Sequence, residues 1–139
     1  MTELVFVDTG PWIALSDPRD QWHSLAVRTM ERVRQERYSL VTSNLVLIET
    51  YSGLVGRIQR KAIVRLRSTV LGSASIQVVR IDEATEDFAW RLFMRYDDKT
   101  VSFVDCTSFA VMEQLAITTA FTFDRHFRQV GFLTLPAVK

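Results

Sequence analysis

The chain has one cysteine, Cys106, and only two histidines, His23 and His126, in 139 residues. A single thiol excludes an internal disulfide and fits a reducing compartment, the cytosol. Too few sulfur and imidazole donors are present to close a zinc site. Long apolar runs are also missing. No window reaches the length of a membrane span, and no basic segment followed by an apolar stretch opens the chain as a secretory signal would. A cytoplasmic location without membrane contact is therefore expected. Charge of one sign is scarce as well: the formal net charge is +1, which gives no bulk argument for a nucleic-acid partner. Repeats, low-complexity tracts and linkers are absent, so residues 1–139 read as a single domain large enough to bury a core.

What is present is an ordinary globular composition, 47% hydrophobic and 24% charged, arranged in alternating patterns. Glu3 to Asp8 is a short apolar run ending in an acid, as in a strand buried on both faces. Tyr38–Thr42, Ser75–Ile81, Thr118–Phe123 and Phe132–Leu135 are further short strand candidates. Thr9-Gly10-Pro11 breaks the first run, and Trp12, Ile13 and Leu15 form a brief apolar turn or helix. Asp17-Pro18-Arg19-Asp20 carries the signals of a helix start, with Trp22, Leu25, Ala26, Met30 and Val33 at helical spacing behind it. Trp22 and Met30 are expected in the core.

Ser43 or Asn44 caps a helix through Val55, with Leu47, Ile48, Tyr51, Leu54 and Val55 on its apolar face. Gln59–Gly72 is amphipathic, with Ile63, Leu66 and Val70 inward. Asp82-Glu83 opens another helix in the place the helix dipole favours for acids, and Phe88, Ala89, Leu92, Phe93 and Tyr96 form its buried side. Ser102, with Asp105 three residues on, makes a capping-box pair. Val104, Ser108, Val111 and Leu115 then recur at helical spacing. Cys106 reads as a packed thiol in that helix. Asp124-Arg125-His126-Phe127 starts a short helix or turn that Gly131 ends. Strands alternating with amphipathic helices give an α/β sandwich with a largely parallel sheet.

In such folds, functional groups collect beyond the carboxyl ends of the strands. Asp8 and Asp124 each end an apolar strand, and Asp105 lies in the first turn of a helix beside them. Glu49 sits off the apolar face of its helix, among Leu45, Ser52, Gly53 and Gly56, where small neighbours leave room for a carboxylate. Clustered carboxylates repel and raise one another's pKa, which a divalent cation relieves. Oxygen donors without sulfur or imidazole select magnesium or manganese. That inventory suits metal-assisted phosphodiester hydrolysis. Between Thr50 and Ile81 no acid occurs, yet Arg57, Arg60, Lys61, Arg65, Arg67 and Arg80 do. This basic block is a phosphate-tracking surface, a solvated face or a docking surface for an acidic partner.

The ordered set Val7-Asp8-Thr9, Glu49, Ser102-Phe103-Val104-Asp105-Cys106 and Thr122-Phe123-Asp124-Arg125-His126-Phe127 resembles the PIN-domain ribonucleases, and among them the VapC toxins of toxin–antitoxin modules. The resemblance spans nearly the whole chain. It implies a PIN-like three-layer sandwich, with about five mainly parallel strands and helices on both faces. It also implies an endoribonuclease that uses Mg²⁺ or Mn²⁺ and a metal-activated water. Asp8 and Asp105 would be direct metal ligands, with Glu49 and Asp124 completing the catalytic acidic pocket directly or through water. Ser102 and Thr122 would orient acids or waters. The resemblance further implies a homodimer and a VapB-like antitoxin, and Arg57, Arg60, Lys61 and Arg65 would border a groove suited to RNA or that partner. His126 is a substrate contact or a packing residue.

Two other readings compete. A PIN-like RNA-binding or RNA-processing module without toxin activity would bind RNA and not arrest growth. A receiver-like signalling domain also clusters acids at strand ends, but it needs a lysine just after a late strand. Here Arg125 follows Asp124, and Lys99 lies in a loop.

Overall fold

Among the described residues, five short strands carry the chain through the fold: β1 (Leu4–Val7), β2 (Ser39–Ser43), β3 (Ile76–Val79), β4 (Thr119–Phe121) and β5 (Leu133–Leu135). In the computed structural model, which describes residues 3–137, they form one sheet in the order β3-β2-β1-β4-β5. Every neighbouring pair is parallel. Val5, Phe6 and Val7 of the central strand are all fully buried. That is why their sequence runs apolar without alternation: both faces of β1 are covered.

Among the described residues, seven helices fill the connections: α1 (Thr9–Ser16), α2 (His23–Gln35), α3 (Asn44–Leu54), α4 (Arg60–Gly72), α5 (Glu83–Arg95), α6 (Phe103–Gln114) and α7 (His126–Gln129). From β1 the chain steps outward through β2 to β3, with α1 to α4 in the crossovers. It then returns through α5 and α6 to β4, on the other side of β1, and continues outward to β5. Right-handed crossovers require that this reversal of direction change the covered face. The packing agrees, since α1 lies against α2 and α3, while α5 lies against α6. The result is the three-layer α/β sandwich expected from the alternating pattern. The reversal also leaves a crevice beyond the carboxyl ends of β1 and β4, where neighbouring chains leave toward opposite faces.

Local signals set the helix starts. Ser43 Oγ accepts the Val46 N–H at 3.1 Å and Asp82 Oδ1 accepts the Thr85 N–H at 2.9 Å. Ser102 and Asp105 form a reciprocal capping box at the start of α6. Cys106 to Met112 are all buried, so α6 is enclosed nearly all round rather than along one stripe. Gly53 brings α3 against α1: a Cβ there would stand 2.9 Å from Ile13 Cδ1.

Several sequence expectations differ from the structure. Phe93, expected on the buried side of α5, is 37% exposed and packs instead in a surface cluster with Trp90 and Phe103. Asp17-Pro18-Arg19-Asp20 does not start a helix. Asp17 is the buried C-cap of α1, its carboxylate accepts the Arg19 N–H at 3.0 Å, and α2 begins only at His23. The carboxylate is drawn into tertiary pairing, so it is not available to cap. Trp22 is not in the core but 44% exposed. On α3 the buried row is Val46, Leu47, Thr50 and Leu54, so Ile48 and Val55 face outward. The helix leans on β2 and α1 along its 46–50–54 row, a choice the wheel alone does not reveal.

Candidate active site

The crevice between β1 and β4 collects the acids in steps that follow the chain. Asp8 comes directly after β1, and its backbone N–H donates to Phe121 O of β4 at 3.0 Å, so the sheet ladder itself fixes its position. Its side chain is buried. Thr122 directly follows β4. Thr122 Oγ1 donates to Asp8 Oδ2 at 2.9 Å and accepts the Asp124 N–H at 3.0 Å. One hydroxyl therefore ties two acids from different strands together.

Asp105 arrives from α6. Its Oδ2 accepts the Ser102 N–H at 3.0 Å, while Ser102 Oγ accepts the Asp105 N–H at 3.0 Å. The capping box thus holds the carboxylate in place by one oxygen. Glu49 reaches in from α3, exposed, with its Oε1 accepting from Thr9 Oγ1 at 2.7 Å. Asp8, Glu49, Asp105 and Asp124 all line one open pocket of about 420 Å³.

His126 closes one edge. Its Nδ1 lies 2.8 Å from Asp124 Oδ1 and 3.9 Å from Asp105 Oδ2, close but without the alignment of a directed hydrogen bond. Its Nε2 is 2.9 Å from Thr100 Oγ1. Among the described residues, Asp105, Asp124 and His126 each bring a ligand atom within 4.8 Å of the others. An imidazole therefore stands at the rim of a set expected to be oxygen alone.

The electrostatics follow from this crowding. Burial pushes the Asp8 carboxyl from 3.8 up to about 7, and the charges of Asp105 and Asp124 add to the rise. Hydrogen bonds from the Thr9 backbone and Thr122 work against it. Asp105 is also raised, by burial first and by Asp124, against the Ser102 hydrogen bonds and His126. These groups resist carrying full negative charge together, which is the state a bound cation favours. The donor set, mostly hard carboxylate oxygens around an open pocket, fits a divalent cation of the magnesium or manganese kind. Burial pushes the Cys106 thiol to about 11, which leaves it an unreactive packing group.

Of the basic residues flagged in the sequence, only Arg57 lines this pocket. Its Nε lies 3.3 Å from Asp17 Oδ2 and its Nη2 3.1 Å from Asp20 Oδ2. Arg60, Lys61 and Arg65 are exposed on α4, outside the pocket lining. Sequence reasoning missed Thr9, Thr100, Asp20 and the pair Trp22 and Phe123 in or beside the site. Thr9 had a signal, a hydroxyl next to the first strand-ending acid. Phe123 had one as well, its place directly before Asp124, whereas Thr100, Asp20 and Trp22 reach the site only through tertiary contacts.

The family model for the PIN domain matches residues 5–133. A curated relative, the 23S rRNA-specific endonuclease VapC20 of Mycobacterium tuberculosis (strain H37Rv), is 37% identical over 133 residues, covering 94% of this chain and 96% of that protein. The crystal structure of Mycobacterium tuberculosis VapC20, described as a sarcin-ricin loop cleaving toxin, matches with a TM-score of 0.81 at 35% identity, over 92% of this chain and 95% of that one. The structure of VapBC2 from Rickettsia felis bound to a promoter DNA fragment matches with a TM-score of 0.68 at 10% identity, over 92% of this chain and 93% of that chain. That last likeness is one of fold.

Proposed function

The chain belongs to the PIN-domain family, and on that premise we propose that it is a metal-dependent endoribonuclease of the VapC toxin type that cuts 23S ribosomal RNA. The observation that carries this reading is the convergence of Asp8, Glu49, Asp105 and Asp124 on one pocket at the sheet's reversal point. The relative named as a 23S rRNA-specific endonuclease, similar over nearly its whole length, supports the substrate. Among the described residues no helix is long and apolar enough to cross a membrane. We place the protein in the cytoplasm, where ribosomes are, as a single nuclease domain spanning residues 1–139.

Asp8, Asp105 and Asp124 would hold Mg²⁺ or Mn²⁺, with Glu49 completing the set. A divalent cation bound there supplies Lewis-acid stabilisation of charge on the phosphate oxygens and lowers the pKa of a coordinated water. The chain's own residues prepare the rest. Thr122 fixes the Asp8 carboxylate and the Asp124 backbone relative to each other, and the capping box fixes Asp105. Thr9 aims Glu49, whose exposed carboxylate can accept a proton from water entering the pocket. His126 sits against Asp124 and is held on its far side by Thr100. Arg57, anchored by Asp17 and Asp20, offers positive charge to the phosphate backbone at the pocket wall.

The VapC resemblance supports a VapB-like antitoxin as partner and a homodimer as the working unit. An antitoxin cation entering the pocket would neutralise the same acids that hold the metal. The exposed row Arg60, Lys61 and Arg65 on α4 is available to RNA or to that partner.

The test is expression in a bacterial host, followed by primer extension across the ribosomal RNAs. The proposal expects growth arrest with one discrete new 23S end, both absent with Asp105→Asn. Arrest that persists in that variant, or scattered ends in other RNAs only, would reject this assignment.

A further inference from the structure

The acidic pocket has an aromatic wall. Trp22 stacks on Phe123 with ring centroids 5.4 Å apart and planes 20° from parallel, and both rings line the pocket together with Asp105 and Asp124. Phe123 is itself seated edge-on against the buried Phe121 of β4, at 6.1 Å and 85°. The stack therefore grows out of the sheet core and ends in an indole that is 44% exposed.

Trp22 is held there. Its backbone N–H donates to Asp20 Oδ1 at 2.8 Å, and Asp20 Oδ2 accepts from Arg57 Nη2 at 3.1 Å, which sets the main chain from which the ring projects. Its carbonyl accepts the Ala26 N–H at 2.8 Å in the first turn of α2. A large apolar ring fixed at the mouth of a charged pocket, when the helical pattern around it points to the core, calls for an occupant. Asp124 is the residue directly after Phe123, so the platform adjoins the acids in sequence as well as in space.

We propose that Trp22, backed by Phe123, is a stacking platform for an unpaired nucleobase of the RNA next to the scissile phosphate. This rests on the nuclease reading of the acid cluster. A phosphate at the acids places its own nucleoside one ribose away, within reach of the neighbouring wall. Aromatic faces are how proteins hold splayed, unpaired bases, because every base offers a π-face. Arg57 lies in the same wall, its guanidinium held by Asp17 and Asp20 beside the path of the backbone that follows that base.

The experiment uses the full chain carrying Asp105→Asn with Mg²⁺ present, so that RNA binds without being cut. The probes are a labelled hairpin oligoribonucleotide with an unpaired loop and the fully paired duplex of its stem. Trp22→Phe should keep the parental affinity for the hairpin, whereas Trp22→Leu and Trp22→Ala should each weaken it by roughly 5- to 150-fold. Duplex binding should not change. In the cleaving chain the same substitutions should raise KM and leave kcat largely intact. Thermal melting, expected to move little for a half-exposed residue, checks the fold of each variant.

Parental affinity in Trp22→Leu would overturn the proposal, because apolar cover alone would then suffice. So would a parent that binds neither probe. The nuclease reading fails separately: a wild-type chain whose hairpin binding depends on Trp22 but which cuts no RNA with Mg²⁺ or Mn²⁺ would retain the platform and lose the enzyme.

Discussion

Thr122 Oγ1 stands between two acids of the pocket, donating to Asp8 Oδ2 at 2.9 Å and accepting the Asp124 N–H at 3.0 Å. Its one donor and one of its acceptor sites are spent on positioning. Thr122→Val keeps the shape and removes both bonds. It should cost about 1–3 kcal/mol of stability, since a buried carboxyl loses its partner. Metal affinity should fall roughly 10- to 100-fold, the usual scale for groups that orient ligands. Thr122→Ser should retain most of both. Chemical denaturation and calorimetric Mn²⁺ titration of the three proteins check this.

Asp8 gives the metal-free protein an inverted pH response. Its folded pKa of about 7 lies above the ordinary 3.8, so the folded chain binds a proton that the unfolded chain has released. The associated stability is complete below the unfolded value and is lost as pH rises through about 7. In EDTA, Asp8→Asn should therefore be more stable than wild type at pH 8, by on the order of 2–4 kcal/mol, and not at pH 4. Added Mn²⁺ should raise the wild-type Tm increasingly between pH 5.5 and 8 (about the range in which the Asp8 proton must leave) and barely move that of the variant. A melting series with and without metal reads both effects.

The capping box makes Asp105 both a helix start and a site acid. Ser102→Ala should cost about 1 kcal/mol, as N-cap losses do. It should also reduce cleavage by loosening the carboxylate. Asp105→Asn retains an oxygen for the Ser102 N–H, so it should melt close to wild type and be inactive. Loss of activity that tracks loss of stability across the two variants would contradict the separate roles.

Arg57 anchors a buried acid as well as facing the pocket. Arg57→Ala leaves the Asp17 carboxylate, 5% exposed, without its closest cation, which should destabilise the fold by about 1–3 kcal/mol. KM for RNA should rise too. Removing Arg60, Lys61 and Arg65 together should leave Tm nearly unchanged and flatten the salt dependence of RNA binding. Comparing salt slopes for the two variants separates anchored from solvated cations.

The order of strands and helices was legible because each element announces itself locally: apolar runs of β1 length, Ser43, Asp82 and Ser102 at caps, Gly131 at a stop. Asp8 and Asp124 were legible as neighbours because both close apolar runs on the carboxyl side of the sheet, although β4 itself ends at Phe121, three residues before Asp124. What stayed hidden depends on partners distant in the chain. Asp17 looks like an N-cap until Arg57, 40 residues on in the sequence, takes its carboxylate. Trp22 looks like core because periodicity records which face a ring lies on, and not whether Phe123 waits at a pocket mouth beneath it. His126 lies two residues from Asp124, yet its approach to Asp105 requires the return of α6 beside β4.

The most direct test is cleavage of ribosomal RNA by the purified chain, free of any antitoxin, beside Asp8→Asn and Asp105→Asn, in Mg²⁺, in Mn²⁺ and in EDTA. Wild type should release a discrete 23S fragment with either metal and none in EDTA, and neither folded variant should release any. Undiminished cutting in EDTA, or by either variant, would contradict an acid-held cation as the source of the chemistry.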